Sequence, residues 1–419
     1  MPTDESYIPG FSSQTISFAD PDSRTLGVTW RTLIPSPSPA VELSVEGDDE
    51  EDRRIIPAFS SEESPVGGFV HKAIIDGLEP ASEYSYRVGD REKGKWSAFA
   101  HVTTREDDPG DFDFLFFCDS QTSAAKGWEP IHKTIRSALR TTPEARFVLH
   151  GGDFVQYGKV EHHWRDMIDE NAPFFREMPT MVASGNHEFV NAGRPFCARE
   201  HFVYPLPGEQ TDPTGDYYSF DYGSLLHVSV LNTNGVVWET QEMHPEQIEW
   251  LENDLRASHA RWKIVVMHFE TYSSGAYGYL GNDGRRSHNF RRDLAPLFCK
   301  YGVDLVLQGH DHVFVRTHHI DTDGNVVTCP VETRDFRGCP TEYHIAPGAP
   351  IYYNSGAAGG NRGNLSDMVD DPQLYVRSET GVNCSYASIH LTHDTLTLRT
   401  YVADGYKKEV LFDSFGIVK

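Results

Sequence analysis

Phe147-Val148-Leu149-His150-Gly151-Gly152-Asp153 is the stretch on which the reading of this chain turns. Its apolar start makes a short buried β-run, which then empties through paired glycines into an acid. A buried strand has no use for a carboxylate, so Asp153 belongs beyond the carboxyl end of the strand. Open α/β sheets place their ligands there. The same design recurs on both sides. Leu115-Phe116-Phe117-Cys118 ends in Asp119, and Met181-Val182-Ala183 leads to Gly185-Asn186-His187-Glu188. Ile264-Val265-Val266-Met267 ends in His268, and Leu305-Val306-Leu307 leads to Gly309-His310-Asp311-His312. One histidine after one strand is ordinarily a structural residue. Five apolar runs that end, in order, on metal-capable groups point to side chains that converge.

Between these runs the pattern turns helical. Trp128, Ile131, Ile135 and Leu139 fit one helix face, and helical patterns near Pro245–Ser258 and Phe290–Tyr301 separate strands predicted at Leu225–Leu231, Trp262–His268 and Val303–Leu307. Alternation of this kind implies a mixed α/β unit with strands buried between helices. No internal repeat is evident.

Upstream of about residue 105 there is no helical period. Thr25–Trp30, Glu83–Val88 and Ala98–Val102 alternate between turn-rich segments, which predicts an all-β sandwich. Leu78-Glu79-Pro80 followed by Tyr84 looks like the tyrosine-corner region of fibronectin type III domains. The stretch from Glu46 to Asp52, acidic except at Gly47, reads as a solvated loop. The polar hinge Arg105-Glu106-Asp107-Asp108-Pro109-Gly110 places the boundary so that residues 1–107 form the sandwich and 108–419 the second domain. No catalytic cluster falls in the first.

Composition narrows the function. With 37 basic and 62 acidic residues the net charge is −25, which repels nucleic acid and anionic membranes. A phosphate ester would be repelled too, unless cations concentrate positive charge at the site. No apolar run is long enough for a membrane span. The start Met-Pro-Thr-Asp-Glu is not a signal peptide, which leaves a cytoplasmic protein, or a secreted or periplasmic one whose signal was removed. Six cysteines in 419 residues are no disulfide framework, although Cys329 and Cys339 flank a polar excursion that a disulfide would close.

Taken together, D-S-Q at Asp119–Gln121, G-D at Gly152–Asp153, G-N-H-E at Gly185–Glu188, the strand ending in His268 and G-H-D-H at Gly309–His312 resemble the calcineurin-like metallophosphoesterase superfamily. Within it the chain looks most like the purple acid phosphatases, some of which carry an N-terminal fibronectin-like domain. Tyr217–Gly223 and Gly356–Asn361 add to the likeness. The resemblance covers roughly residues 112–415 and implies an α+β chain: a fibronectin type III-like sandwich followed by a four-layer αββα metallophosphoesterase domain. It implies two metal ions, of the Zn, Mn or Fe kind that imidazole and oxygen ligands suit. One would be held by Asp119, Asp153 and His312, and the other by Asp153, Asn186, His268 and His310. A shared carboxylate offsets repulsion between cations about 3.5–4 Å apart. The implied reaction is hydrolysis of a small-molecule phosphate monoester by a metal-bound hydroxide, with His187 contacting the phosphate and acting as acid. A phosphodiesterase or nucleotide pyrophosphohydrolase would use the same metals, and a binding or adhesion protein is the rival from another class.

The chain departs from the purple pattern at the position where a tyrosine, three residues after the bridging Asp, ligates iron. Gln156 stands there, with Tyr157 one step later. Gln121 is expected to replace the missing tyrosinate on the first metal, and a bulge that returns Tyr157 to the metal is the alternative. Gln156 is expected to hydrogen-bond His187. After His268 the sequence Phe269–Tyr279 lacks the further histidines of the family. Arg285 and His288, in a basic cluster with Arg286, Arg291 and Arg292, are candidates to guide phosphate.

Overall fold

The computed structural model describes residues 10–45, 53–61, 64, 67–122, 127–189, 198–208, 210, 216–237, 239–275, 278, 281–359, 371–405 and 408–419. The acidic stretch 46–52, Asn361, and Ala276, Tyr277 and Tyr279 lie outside the described residues. The N-terminal unit has two antiparallel sheets. Ser12–Phe18, Leu26–Thr32, Phe69–Ile75 and Phe59–Ser60 make the first. Arg54–Pro57, Pro39–Val45, Glu83–Asp90 and Lys95–Trp96, with Ala100–Thr103 on Glu83–Asp90, make the second. The backbone N–H of Glu79 donates to the Tyr84 hydroxyl at 2.9 Å, so the tyrosine-corner expectation holds in geometry.

The rest is a pair of eight-stranded sheets with helices outside, and a two-stranded ribbon of Val236–Val237 and Glu242–Met243. One runs Thr180–Val182, Ala145–His150, Asp111–Phe117, Ser385–Thr392, Thr395–Ala403, Glu409–Val418, Cys339–Ile345, Val331–Phe336. The other runs Tyr218–Tyr222, Leu226–Val230, Trp262–Val266, Leu305–Gln308, Ile351–Ser355, Phe314–Ile320, Val326–Val327, with Tyr375–Glu379 added on Phe314–Ile320. Each contains a parallel block. Phe117 is level with His150 and His150 with Val182 in the first. Val230, Val266 and Leu307 are level in the second. The strand ends within each block therefore lie at one height, and the loops that leave the two blocks meet where the His310 N–H reaches the Asp119 carboxylate.

The two units share one hydrophobic core. Phe18 of the first strand lies 5.8 Å from the Phe147 ring and 5.4 Å from that of Phe220. The predicted hinge is pinned as well: the buried Arg105 guanidinium donates to the carbonyls of Asp22, Glu106 and Asp107.

Two sequence expectations need correcting. Leu139 was expected on the buried face of its helix, but it is 38% exposed; in Glu129–Thr141 the buried stripe is Ile131, Thr134, Ile135 and Ala138. The small Thr134 and Ala138 carry the contact, which an apolar-only pattern passes over. The helix expected at Phe290–Tyr301 is two, Gly281–Asp293 and Ala295–Tyr301. Pro296 lacks an N–H to continue the ladder, so the helix restarts there. Cys329 and Cys339 are both free thiols. No described helix is long and apolar enough to cross a membrane.

Candidate metal centre

The clustered loops put unusual demands on the backbone. Asp119 (φ 53°), Asp153 (53°), His310 (76°) and His312 (54°) all occupy the left-handed region. For residues with a Cβ this costs roughly 1–3 kcal/mol each, and it persists only where the surroundings over-determine it. Here they do. The Gly151 N–H donates to the Phe117 carbonyl (2.7 Å), the Asp119 N–H to that of Gly152 (3.0 Å), and the His310 N–H to the Asp119 carboxylate (3.0 Å). The last bond ties the two sheets together. A Cβ at Gly185 would collide with the nitrogen and carboxylate of Asp153, so glycine is required at that approach.

One donor group is Asp153, His268 and His310, whose ligating atoms lie within 4.8 Å of one another. The His268 Nδ1–H donates to the Gly151 carbonyl at 2.9 Å, which turns Nε2 towards Asp153 Oδ1 (3.3 Å) and Asn186 Oδ1 (2.9 Å). His310 presents Nδ1 to the same Asn186 oxygen at 2.8 Å. A second group, Asp119, Asp153 and His312, meets the same criterion. His312 Nε2 is 3.4 Å from Asp119 Oδ1. The buried Gln121 joins this group, with its amide 3.1 Å from Asp153 Oδ2 and 3.0 Å from His312 Nε2. Rotation of that amide by half a turn places its oxygen in the same spot.

Electrostatics favour cations here. Burial works against every charge in the cluster, yet His312 holds Asp119 below the usual carboxylate range and His268 does the same for Asp153. In return, and again against burial, Asp153 lifts His268 to about 9 and Asp119 raises His312. The field that keeps protons on these rings would equally hold metal ions, which must displace those protons to bind. Carboxylate, imidazole and amide donors of this kind fit two first-row divalent ions that share Asp153.

The supporting groups were not singled out from sequence. The buried Glu188 carboxylate accepts N–H groups from Asp153 (2.9 Å), Val155 (3.2 Å) and Gly185 (2.7 Å). Burial and the Asp153 charge push its carboxyl up to about 8. Asp283 approaches the far side of His310, with 3.8 Å from Oδ2 to Nε2. Asn354 donates to the Gly309 carbonyl at 2.8 Å. The acid two places after Asn186, in G-N-H-E, was the one available signal, and it marks Glu188 alone among these three.

Other expectations divide. The half-buried His187 flanks the cluster, with Nε2 3.8 Å from Asp153 Oδ2. Its Nδ1 donates chiefly to the Gln156 backbone carbonyl (2.7 Å), while the Gln156 side chain lies at 3.3 Å. Tyr157 is 43% exposed, and its ring lies 5.6 Å from that of His163. It helps line a surface pocket of about 390 Å³ with Trp128, Gln156 and His163. The structure thus brings Gln121 to the cluster and turns Tyr157 away. Arg285 and His288 are exposed, and the Arg285 guanidinium donates to the Glu239 carbonyl. Their neighbour Arg286 is the residue near the site. It is buried, lies 3.7 Å over the Phe269 ring, and that ring is 4.2 Å from His310.

Comparison with known proteins covers both units. Residues 112–314 match the family model described as calcineurin-like phosphoesterase, and residues 12–104 match that of the purple acid phosphatase N-terminal domain. Purple acid phosphatase 18 of Arabidopsis thaliana is 25% identical over 316 residues, which is 73% of this chain and 61% of the relative. The chain therefore spans about three fifths of that relative's length. The structure of purple acid phosphatase PPD1 from yellow lupin seeds superposes with a TM-score of 0.78 at 20% identity, over 98% of this chain and 74% of the other. That of PhoD gives 0.70 at 16% identity, over 100% and 92%. At these identities the solved structures speak for the fold.

Proposed function

We propose that this chain, which joins a purple acid phosphatase N-terminal domain to a calcineurin-like metallophosphoesterase domain, is a metal-dependent hydrolase of phosphate monoesters. The observation that carries the reading is that Asp153 belongs to two donor groups at once, one with His268 and His310, the other with Asp119 and His312. When bound, two cations there would acidify a water and neutralise charge on the phosphoryl oxygens. Asp119, Gln121 and His312 would hold one, Asn186, His268 and His310 the other, and Asp153 both.

The remaining work falls to His187. With its Nδ1–H committed to the Gln156 carbonyl, its Nε2 is the nitrogen left to meet substrate. A proton can reach the leaving oxygen from that atom only when the ring is an imidazolium. The ring is thus oriented by backbone.

A panel of aryl phosphate monoester, bis-aryl diester and nucleoside triphosphate, run on protein reconstituted with Zn, Mn or Fe, tests the proposal. Monoester turnover in clear excess is expected. Preference for the diester or triphosphate would reassign the substrate class, and no turnover with any metal would leave a binding protein.

A further inference from the structure

A second cluster of metal-binding character lies in a different part of the fold. His319, Cys329 and His344 offer ligand atoms that all lie within 4.8 Å of one another, and they share no residue with the dinuclear cluster. We propose that these three side chains form a separate zinc site that staples the two central sheets together. The inference does not rest on the phosphatase reading.

Their places in the chain make the case. His319 is on Phe314–Ile320, in the sheet that also holds Leu305–Gln308. His344 is on Cys339–Ile345, in the other sheet. Cys329 sits between Val326–Val327 of the first and Val331–Phe336 of the second, on the link by which the chain crosses over. A cation held by all three would tie both sheets and the crossover at one point.

The local chemistry is prepared for it. His319 is buried, and its Nδ1–H donates to the Ala349 carbonyl at 2.7 Å. That bond fixes the tautomer and orientation of the ring and leaves Nε2 as the ligating atom, as metal-binding histidines are usually arranged. His344 Nδ1 lies 2.9 Å from this Nε2. A tetrahedral zinc with Zn–N about 2.0–2.1 Å holds two such nitrogens about 3.3 Å apart, so a shift of a few tenths of an ångström admits the ion. Two imidazoles and one thiolate form a donor set that zinc favours, with the fourth position left for water. The nearby Arg316 acts against positive charge on both rings, and its pairing with Asp413 at 2.9 Å offsets part of that opposition. The competing reading is a relay of hydrogen bonds from His344 to His319 to the Ala349 carbonyl, with Cys329 as a bystander.

Cobalt distinguishes the two. The dinuclear donors are all nitrogen and oxygen, so a thiolate-to-cobalt charge-transfer band in the near ultraviolet can report only a cysteine site. The full chain loaded with Co²⁺ should show that band and bind one equivalent more than Cys329→Ser, which should lose the band and keep the dinuclear metals. His344→Gln should lose it too. Zinc should slow the reaction of Cys329 with a thiol reagent about tenfold or more. Absence of the band, its survival in Cys329→Ser, unchanged reactivity of Cys329 in zinc, or a Cys329–Cys339 disulfide in the purified chain would each overturn the proposal. A metal count that keeps the dinuclear equivalents in Cys329→Ser shows that the variant has folded.

Discussion

Glu188 and Asp153 meet through one carboxylate and one backbone N–H, 2.9 Å apart, inside the protein. The same Glu188 side chain gathers the N–H groups of Val155 and Gly185. The loop that carries Asp153, the residue common to both donor groups, is therefore held by the residue two places after Asn186.

Glu188→Ala would strand those three N–H groups away from water. At about 1–3 kcal/mol for each unsatisfied donor, a loss of stability of at least about 3 kcal/mol is expected, together with reduced metal occupancy. Glu188→Gln keeps an acceptor and should lose less. Urea titration and metal analysis check both, and wild-type values for the Ala variant would show that the carboxylate does not shape the loop.

Asp153→Ala should lose both metals, because its carboxylate belongs to both donor groups. Asn186→Ala should weaken mainly the ion held by His268 and His310, whose nitrogens its amide oxygen faces. Full occupancy of both sites in the Asp153 variant, measured by elemental analysis, contradicts the assignment.

His187→Ala should leave metal content near wild type, since the ring flanks the donor groups without belonging to either. For alkyl phosphates kcat should fall roughly 10²–10⁴-fold, the range of general acid catalysis. Aryl esters, whose leaving groups need little protonation, should suffer less. An equal loss for both would reduce His187 to a binding contact.

Iron-loaded, oxidised protein should lack the purple tyrosinate band. Gln121 is buried beside Asp153 and His312, whereas Tyr157 is 43% exposed and packs near His163. Gln121→Ala should weaken the metal held by Asp119 and His312, and Tyr157→Phe should leave it unchanged. A visible band that disappears in Tyr157→Phe would reverse the two roles.

Away from the site, His227 bonds Asp221 at 2.7 Å and Asp254 at 3.0 Å. Burial opposes the imidazolium, but these two carboxylates override it and lift the ring to about 9. With the folded value above the unfolded one of about 6.5, this stabilisation is complete below pH 6.5. It is lost as pH rises through about 9, and amounts to about 3 kcal/mol. His227→Gln should flatten the stability profile between those limits, as urea midpoints measured across the range will show.

How much of this was written locally can be judged residue by residue. Asp119, Asp153, Asn186, His268, His310 and His312 were legible because each follows an apolar run of strand length. The position of a polar group just past a strand is a property of a few adjacent residues. Even the choice of Gln121 over Tyr157 was foreshadowed by a slip of one residue in spacing. The helix Gly281–Asp293 shows the opposite case. Its residues are polar almost all round, so no apolar stripe sets its rotation. Packing against Phe269 and Gln241 decides that Arg286 is buried while Arg285 and His288 face out.

What the sequence by itself determined was the set of candidate donors and the strand ends that bear them, because hydrophobic period and strand-end chemistry are local. Only the tertiary structure decided which groups support them. Glu188 reaches back 35 residues to the Asp153 N–H, and the His310 N–H reaches 191 residues to the Asp119 carboxylate. His319 and His344 meet only because two separate sheets bring their strands to one place. Hydrogen bonds and donor clusters act over about 3 Å, and the residues that a fold brings within that range leave no mark on the spacing of a chain.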